Sequence, residues 1–323
     1  MTTDDRPEAA AATPLFVLAT IVLVAMLIGG NFTALKFALD HAGPFLIAAL
    51  RTVIGGTFLV VLGLARGERL PRERSLLLRI FVVSFSITTV SSALLVFGVD
   101  KVPAGFASLM SSTMPLFTAC LSLVLLGTRL RPVAVFGLVI GFGGTAVLAS
   151  PALDGDARLV GAVSLLFSAI AWAFGTVFMK WKDFSDVSPI MLVGVQLWMS
   201  AVVLLPFALV VEGVDDVDWS LGLLVPLLYA AIPANAVTFA LLATVVRRAT
   251  PTQAAATAYL IPLFGVFFGW LIRDELLGRV ELVGGVLVVV GVCIVVTAAN
   301  RGGPVRRRGA AARDDVVTRP AAR

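Results

Sequence analysis

The sequence predicts an all-α integral membrane protein: ten transmembrane helices arranged as two inverted five-helix repeats, with both termini cytoplasmic. Three observations predict it. First, 59% of the 323 residues are hydrophobic and 14% are charged, with a mean hydropathy of +1.00. A soluble domain carries about 25% charged residues, so lipid must be the solvent for this much apolar surface. Second, ten apolar segments follow one another, each near the ~20 residues that span a bilayer. Third, the chain repeats itself at a shift of 147 residues. Pro115-Leu116-Phe117 falls on Pro262-Leu263-Phe264, Ala93-Leu94-Leu95 on Ala240-Leu241-Leu242, Gly137 on Gly284 and Gly144 on Gly291. A period this long is too large for a solenoid and marks a duplicated membrane half.

In chain order, residues 1–13 are polar and Ala-rich and read as a disordered tail. The spans of the first repeat, residues 14–149, are predicted at Leu15–Leu39, Pro44–Ala65, Arg79–Val99, Gly105–Leu126 and Pro132–Ala149. Those of the second, residues 159–299, are predicted at Leu159–Phe178, Pro189–Val211, Leu221–Val246, Thr252–Ile272 and Val280–Ala299. Residues 300–323 read as a basic disordered tail. The first span is longer than the ~7–15-residue apolar core of a signal peptide. No small-residue cleavage site closes it before Asn31 and Lys36, so it is read as retained.

The net charge of +5 is a topology signal. With the N-terminus in the cytoplasm, nineteen Lys and Arg residues fall inside, among them Arg66, Arg69, Arg72, Arg74 and Arg79. Only Lys101, Arg158, Arg273 and Arg279 fall outside. This is the positive-inside asymmetry, and it removes nucleic acid as a partner. Five spans precede the boundary near Ser150–Arg158, so the second repeat enters the membrane upside down. In such a pair the binding site lies near mid-membrane where the repeats meet.

An enzyme is not expected. The middle third of every predicted span lacks Asp and Glu, His41 is the one histidine, and Cys120 and Cys293 sit apart in apolar segments. No nucleophile–base set, metal site or phosphate loop can be assembled from these, so neither metal nor cofactor is expected. Neutral polar residues remain. The third span carries Ser84, Thr88, Ser91 and Ser92; at the repeat shift Thr88 lands on Asn235 and Ser91 on Thr238. The fourth carries Ser108, Ser111 and Ser112 before Pro115, and the ninth carries Thr257 and Tyr259 before Pro262. These hydroxyls either line a central cavity or bond back to their own and neighbouring helices. Pro115 and Pro262 are candidate hinges, because each removes a backbone hydrogen bond at matching positions. Arg51 and Lys36 are intramembrane cations; each is a functional candidate or snorkels to the surface. Glycine pairs at Gly137/Gly141, Gly265/Gly269 and Gly284/Gly291 suit close helix packing within one subunit, or the seam of a homodimer.

These residues resemble the EamA family of the drug/metabolite transporter superfamily, over Leu15 to Ala299. Family members open each half with a motif like Trp-Gly-x-Asn-(x)4-Lys. Here Ile28-Gly29-Gly30-Asn31 with Lys36 takes that place in the first half, and Trp172, Gly175 and Lys180 in the second. Arg51, Pro115 and Pro262 match the family's Arg in the second span and its Pro in the fourth and ninth. The family's Gly-Glu-x-Leu corner reads Gly127-Thr128-Arg129-Leu130 in the first half, without the Glu, while the second half keeps acids in Asp274-Glu275-Leu276. The resemblance implies a multi-pass permease of the cell membrane that moves a small metabolite, amino acid or drug-like solute by alternating access. Asn31, Thr88, Ser91, Ser108, Ser112, Trp172, Asn235, Thr238, Thr257 and Tyr259 are the substrate-facing set expected for a neutral or zwitterionic solute. The competing expectations are a nucleotide-sugar-like or other uptake carrier of the same superfamily, and a membrane scaffold without transport. The expected partners are the solute and the bilayer, with the chain a monomer or homodimer.

Overall fold

A charge-free apolar run in lipid has one local way to satisfy its own backbone, the helix. The computed structural model describes residues 14–128, 130–238, 241 and 251–300, and these hold helices and turns but no strand. The expected tails (apart from Asn300), Arg129 and the end of the eighth span beyond Thr238, Leu241 excepted, lie outside the described residues.

The first half comprises α1 (Pro14–Leu39), α2 (Pro44–Ala65), α3 (Arg74–Val83), α4 (Ser91–Lys101), α5 (Ala104–Ser111), α6 (Met114–Leu126) and α7 (Pro132–Ala149). After a 3-10 turn at Ser150–Asp154 come α8 (Asp156–Trp181), α9 (Pro189–Val211), α10 (Leu221–Ala231), α11 (Pro251–Arg273) and α12 (Arg279–Asn300). Eight stretches are long and apolar enough to cross a membrane. Leu221–Val237 and Thr257–Arg273 are shorter apolar helices. Against the ten expected spans, the described residues therefore hold eight full-length stretches and two shorter ones.

Three spans depart from plain helix. Between α3 and α4 the backbone widens into a π-helical turn, Ser84–Val90, and a second π turn, Ile232–Val237, follows α10. The repeat shift carries Ser84–Val90 onto residues 231–237, so the same irregularity occupies matching places. Pro233 explains the second turn, since it has no N–H for the regular ladder. In the first, the Thr88 hydroxyl donates to the Ser84 carbonyl at 2.8 Å and competes locally with that ladder. The fourth span is broken outright. Pro115 has no N–H for the Ser111 carbonyl and its ring crowds that carbonyl. Accordingly α5 stops at Ser111 and α6 starts at Met114. Its counterpart Pro262 lies inside an unbroken α11.

Packing exchanges the halves. The main contacts of α1 are with α10 and α11 of the second half, whereas α8 packs on α4, α5 and α6 of the first. The pairs α2/α9 and α7/α12 each join matching helices. Glycine makes the closest approaches possible. A Cβ on Gly144 would lie 2.6 Å from the Leu287 Cβ, and one on Gly29 would lie 2.6 Å from the Phe264 Cβ. The expected glycine seam is thus found between α7 and α12 within one chain. Many large apolar side chains face outward, with Val210 85% and Val124 76% exposed, while the interior mixes large apolar side chains such as Phe106, Leu35 and Met110 with small residues and buried hydroxyls.

Candidate functional site

The hydroxyl stripe of the third span forms a hydrogen-bonded seam with α8 and α9. Ser84 Oγ donates to the Gln196 carbonyl at 2.6 Å, and Ser200 Oγ to the Thr88 carbonyl at 2.8 Å. Ser91 Oγ donates to the Ser168 carbonyl at 2.9 Å, and Ser168 Oγ returns a bond to the Ser91 carbonyl at 2.7 Å. Ser86 Oγ reaches the Ala171 carbonyl, and Gly175 leaves room for Ile87 of the π turn. Of the two roles open to Thr88 and Ser91, these contacts are those of helix-to-helix adhesion. A hydroxyl has one proton to give, and here protein carbonyls take it.

Several other expected residues also have protein partners. Ser112 Oγ donates to the Ser108 carbonyl at 2.8 Å and Ser108 Oγ to the Gly105 carbonyl at 2.8 Å, which ties the turns before the α5/α6 break. Ser108 also fills the space over Gly265, so it is a contact between α5 and α11. Thr238 Oγ1 bonds the Pro233 carbonyl at 3.1 Å, within its own π turn. Tyr259 donates across to the Cys293 carbonyl of α12 at 3.3 Å. Trp172 and Asn235 are half-buried.

Among the described residues, a different set of polar atoms is buried with no hydrogen-bond partner. From the expected residues it includes Asn31 Oδ1, Arg51 Nε and Nη1, and Thr257 Oγ1. It adds Thr33 Oγ1, Thr89 Oγ1, Ser92 Oγ, Ser111 Oγ and Gln196 Nε2. Each unsatisfied neutral group costs roughly 1–3 kcal/mol, and an unpaired buried charge costs several. Arg51 is 8% exposed and so does not snorkel. By helix rise along the whole spans, which for Ser92 is Arg74–Lys101 and for Ser111 is Ala104–Leu126, the residues Asn31, Arg51, Ser92, Ser111, Gln196 and Thr257 lie roughly 9–14 Å from the nearer span end. They come from both halves. Thr33, Thr89 and Gln196 escaped the sequence reading. Gln196 had a signal, being the one amide in a seventh span whose other polar side chain is Ser200; the two threonines had none beyond their residue type.

A groove of about 620 Å³ runs between α1, α10 and α11, walled by Phe37, Val225 and Phe268, with Thr33, Tyr229 and His41 as its polar groups. Gly30 keeps it open, since a Cβ there would sit 2.7 Å from the Tyr229 hydroxyl.

One end of the bundle is tied across the halves by charge. Arg273 meets Asp40 at 2.7 Å and lies over the Phe37 ring. His41 Nδ1 pairs with Asp218 Oδ2 at 2.8 Å. Glu212 accepts from the Phe45 and Leu46 N–H groups at 3.0 and 2.8 Å, and Glu275 accepts from the Ala104 N–H at 2.6 Å. Both carboxylates sit at helix N-termini, where orphan N–H groups and the macrodipole favour an anion. Lys36 donates to the Asp100 carbonyl at 3.2 Å. At the Arg-rich end the links between halves are Ser188 to Glu68 and Arg79 to the Asp183 carbonyl.

Helices alone among the described residues, eight stretches long and apolar enough to span, and large apolar side chains outside mark a multi-span membrane protein. A profile of the EamA-like transporter family matches residues 15–150 and again residues 159–297. The chain belongs to that family, and it is a multi-pass protein of the cell membrane. It is 30% identical over 262 residues to the uncharacterized transporter YvbV of Bacillus subtilis (strain 168), covering 80% of this chain and 85% of that one. It is 27% identical over 256 residues to the uncharacterized inner membrane transporter YedA of Escherichia coli (strain K12), covering 78% and 81%. It is 28% identical over 271 residues to a probable amino-acid metabolite efflux pump of the same organism, covering 81% and 87%. A crystal structure of a protein 19% identical in sequence shares the fold, with a TM-score of 0.60 over 88% of this chain and 98% of that one.

Proposed function

We propose that this chain is a secondary transporter that exports a small zwitterionic metabolite of the amino-acid class by alternating access. In this reading it has ten spans in two inverted halves, with both termini and the Arg-rich end in the cytoplasm. The observation that carries it is Arg51: a guanidinium buried beneath the membrane surface with Nε and Nη1 unpaired. A bidentate carboxylate is the natural counterpart of that fork. Asn31 Oδ1, an unpaired acceptor, suits an ammonium group, and Gln196, Ser92, Ser111 and Thr257 supply further polarity. Among the expected set, Thr88, Ser91, Ser108, Ser112, Thr238 and Tyr259 then shape the site from behind, while Trp172 and Asn235 border it. The swapped packing of α1 and α8 supports the two inverted halves, and the relative named as an amino-acid metabolite efflux pump supports export of that class.

The test compares spent medium from cells producing the chain with that from cells producing Arg51→Leu at equal abundance, by untargeted mass spectrometry. Accumulation of a few amino-acid-like solutes only with the unaltered chain is the expected result, with export reduced at least ten-fold by the variant. Identical media, together with no accumulation of labelled amino acids in liposomes, would overturn the reading.

A further inference from the structure

We propose that the groove between α3 and α8 is a binding site for one anionic phospholipid. The groove measures about 750 Å³ and is lined at one end by Arg74, Ser75, Arg79 and Lys182, and along its length by Leu78, Val82 and Phe178. Cations at the end of a helix bundle with apolar walls running into the membrane match an amphiphile: phosphate at the mouth, acyl chain along the wall. From Arg74 to Val82 the wall extends about 12 Å at 1.5 Å per residue. Leu78 is 60% exposed, so this surface belongs to lipid.

The three cations at the mouth, Arg74, Arg79 and Lys182, outnumber the two acids beside them in the chain, Glu73 and Asp183. Glu73 is bonded by the Ser75 hydroxyl, and Asp183 accepts from the Ser185 N–H at 3.0 Å. That bond holds the Asp183 carboxyl below the usual carboxylate range. Arg79 is a strut, donating to the Asp183 carbonyl at 2.8 Å and to the Ser75 carbonyl at 3.3 Å. Arg74 and Lys182 form no ion pair among the described residues; Lys182 rests 4.1 Å above the Trp181 ring. Two cations without an ion pair, Arg74 and Lys182, therefore stand at the headgroup level. Because α3 belongs to the first half and α8 to the second, the bound lipid would bridge the halves beside the apolar cluster of Leu76, Ile80 and Leu192.

Trp181 makes the proposal testable. A full-length chain keeping only this tryptophan is placed in phosphatidylcholine vesicles containing bromine-labelled phosphatidylglycerol or, at the same fraction, bromine-labelled phosphatidylcholine. Phosphatidylglycerol should quench Trp181 more strongly, with a preference of about five-fold for each unpaired cation. Arg74→Gln/Lys182→Gln should bring the two lipids level, while the charge-keeping pair Arg74→Lys/Lys182→Arg should retain the preference and so exclude misfolding as the cause. Equal quenching of the starting chain by both lipids would overturn the proposal, as would a preference that survives in the Gln pair. A preference abolished by inorganic phosphate at constant ionic strength would reassign the groove to a soluble anion and overturn it as a lipid site.

Discussion

The two halves are alike where α7 meets α12 and unlike at the corner that precedes each of those helices. At the seam, Gly144 and its counterpart Gly291 each press on the opposite helix; a Cβ on Gly291 would meet the Gly141 backbone. At the corners, Glu275 of the second half holds the first residue of α5, while its counterpart in the first half is Thr128. The sequence shift offers a reason in the residue equivalent to Ala104. The same shift carries Ala104 onto Pro251, which has no N–H to donate. An acid at position 128 would lack the donor that Glu275 enjoys. The lesson is that a duplicated half keeps a polar residue only where its partner group is duplicated too, whereas a steric need such as the glycine seam survives in both copies.

Three pairs of substitutions break or sharpen this comparison, in descending order of effect. Gly291→Ala should force α7 and α12 apart and cost about 3 kcal/mol by overpacking, seen as a large fall in melting temperature in detergent. Gly143→Ala, where a Cβ meets nothing within 4 Å, should be neutral or slightly stabilising. If both lower stability equally, the seam is not the tight element described. Glu275→Leu removes the acceptor of the Ala104 N–H and a neighbour of Arg273 at 3.7 Å. A loss of about 2 kcal/mol is expected, read by the same unfolding measurement, and Glu275→Gln should recover part of it. Thr128→Glu should change stability by less than about 0.5 kcal/mol in the presence of Pro251. Combined with Pro251→Ala it should show a favourable coupling of about 1 kcal/mol in a double-mutant cycle. No coupling would mean that the corner asymmetry has another origin.

The two cavities and the polar interior were unequally visible in the sequence. Arg51 was visible because a cation inside an apolar span stands out against every neighbour; that it is buried rather than snorkelled required the packed structure. Thr88 and Ser91 were visible as polar residues on one helix face, but a hydroxyl beside a carbonyl and a hydroxyl beside a solute look identical in sequence. Their bonds to Gln196, Ser200 and Ser168 lie 77 to 112 residues away along the chain. The π turn at Ser84–Val90 was hidden for the same reason: with no proline in it, only its local and cross-helix bonds distinguish it from regular helix. The lipid groove needed Arg74 and Lys182 brought together from different halves.

By itself the sequence determined the solvent, the long apolar helices, the repeat and the glycines able to make a close seam. These depend on sums over twenty residues or on small side chains at fixed spacing, and both are written along the chain. Only the tertiary structure decided which polar groups are satisfied, where the fourth span breaks while the ninth does not, and which cations are left without an acid. Those outcomes turn on whether one particular donor comes within about 3 Å of one particular acceptor, a distance set by the packing of helices far apart in sequence.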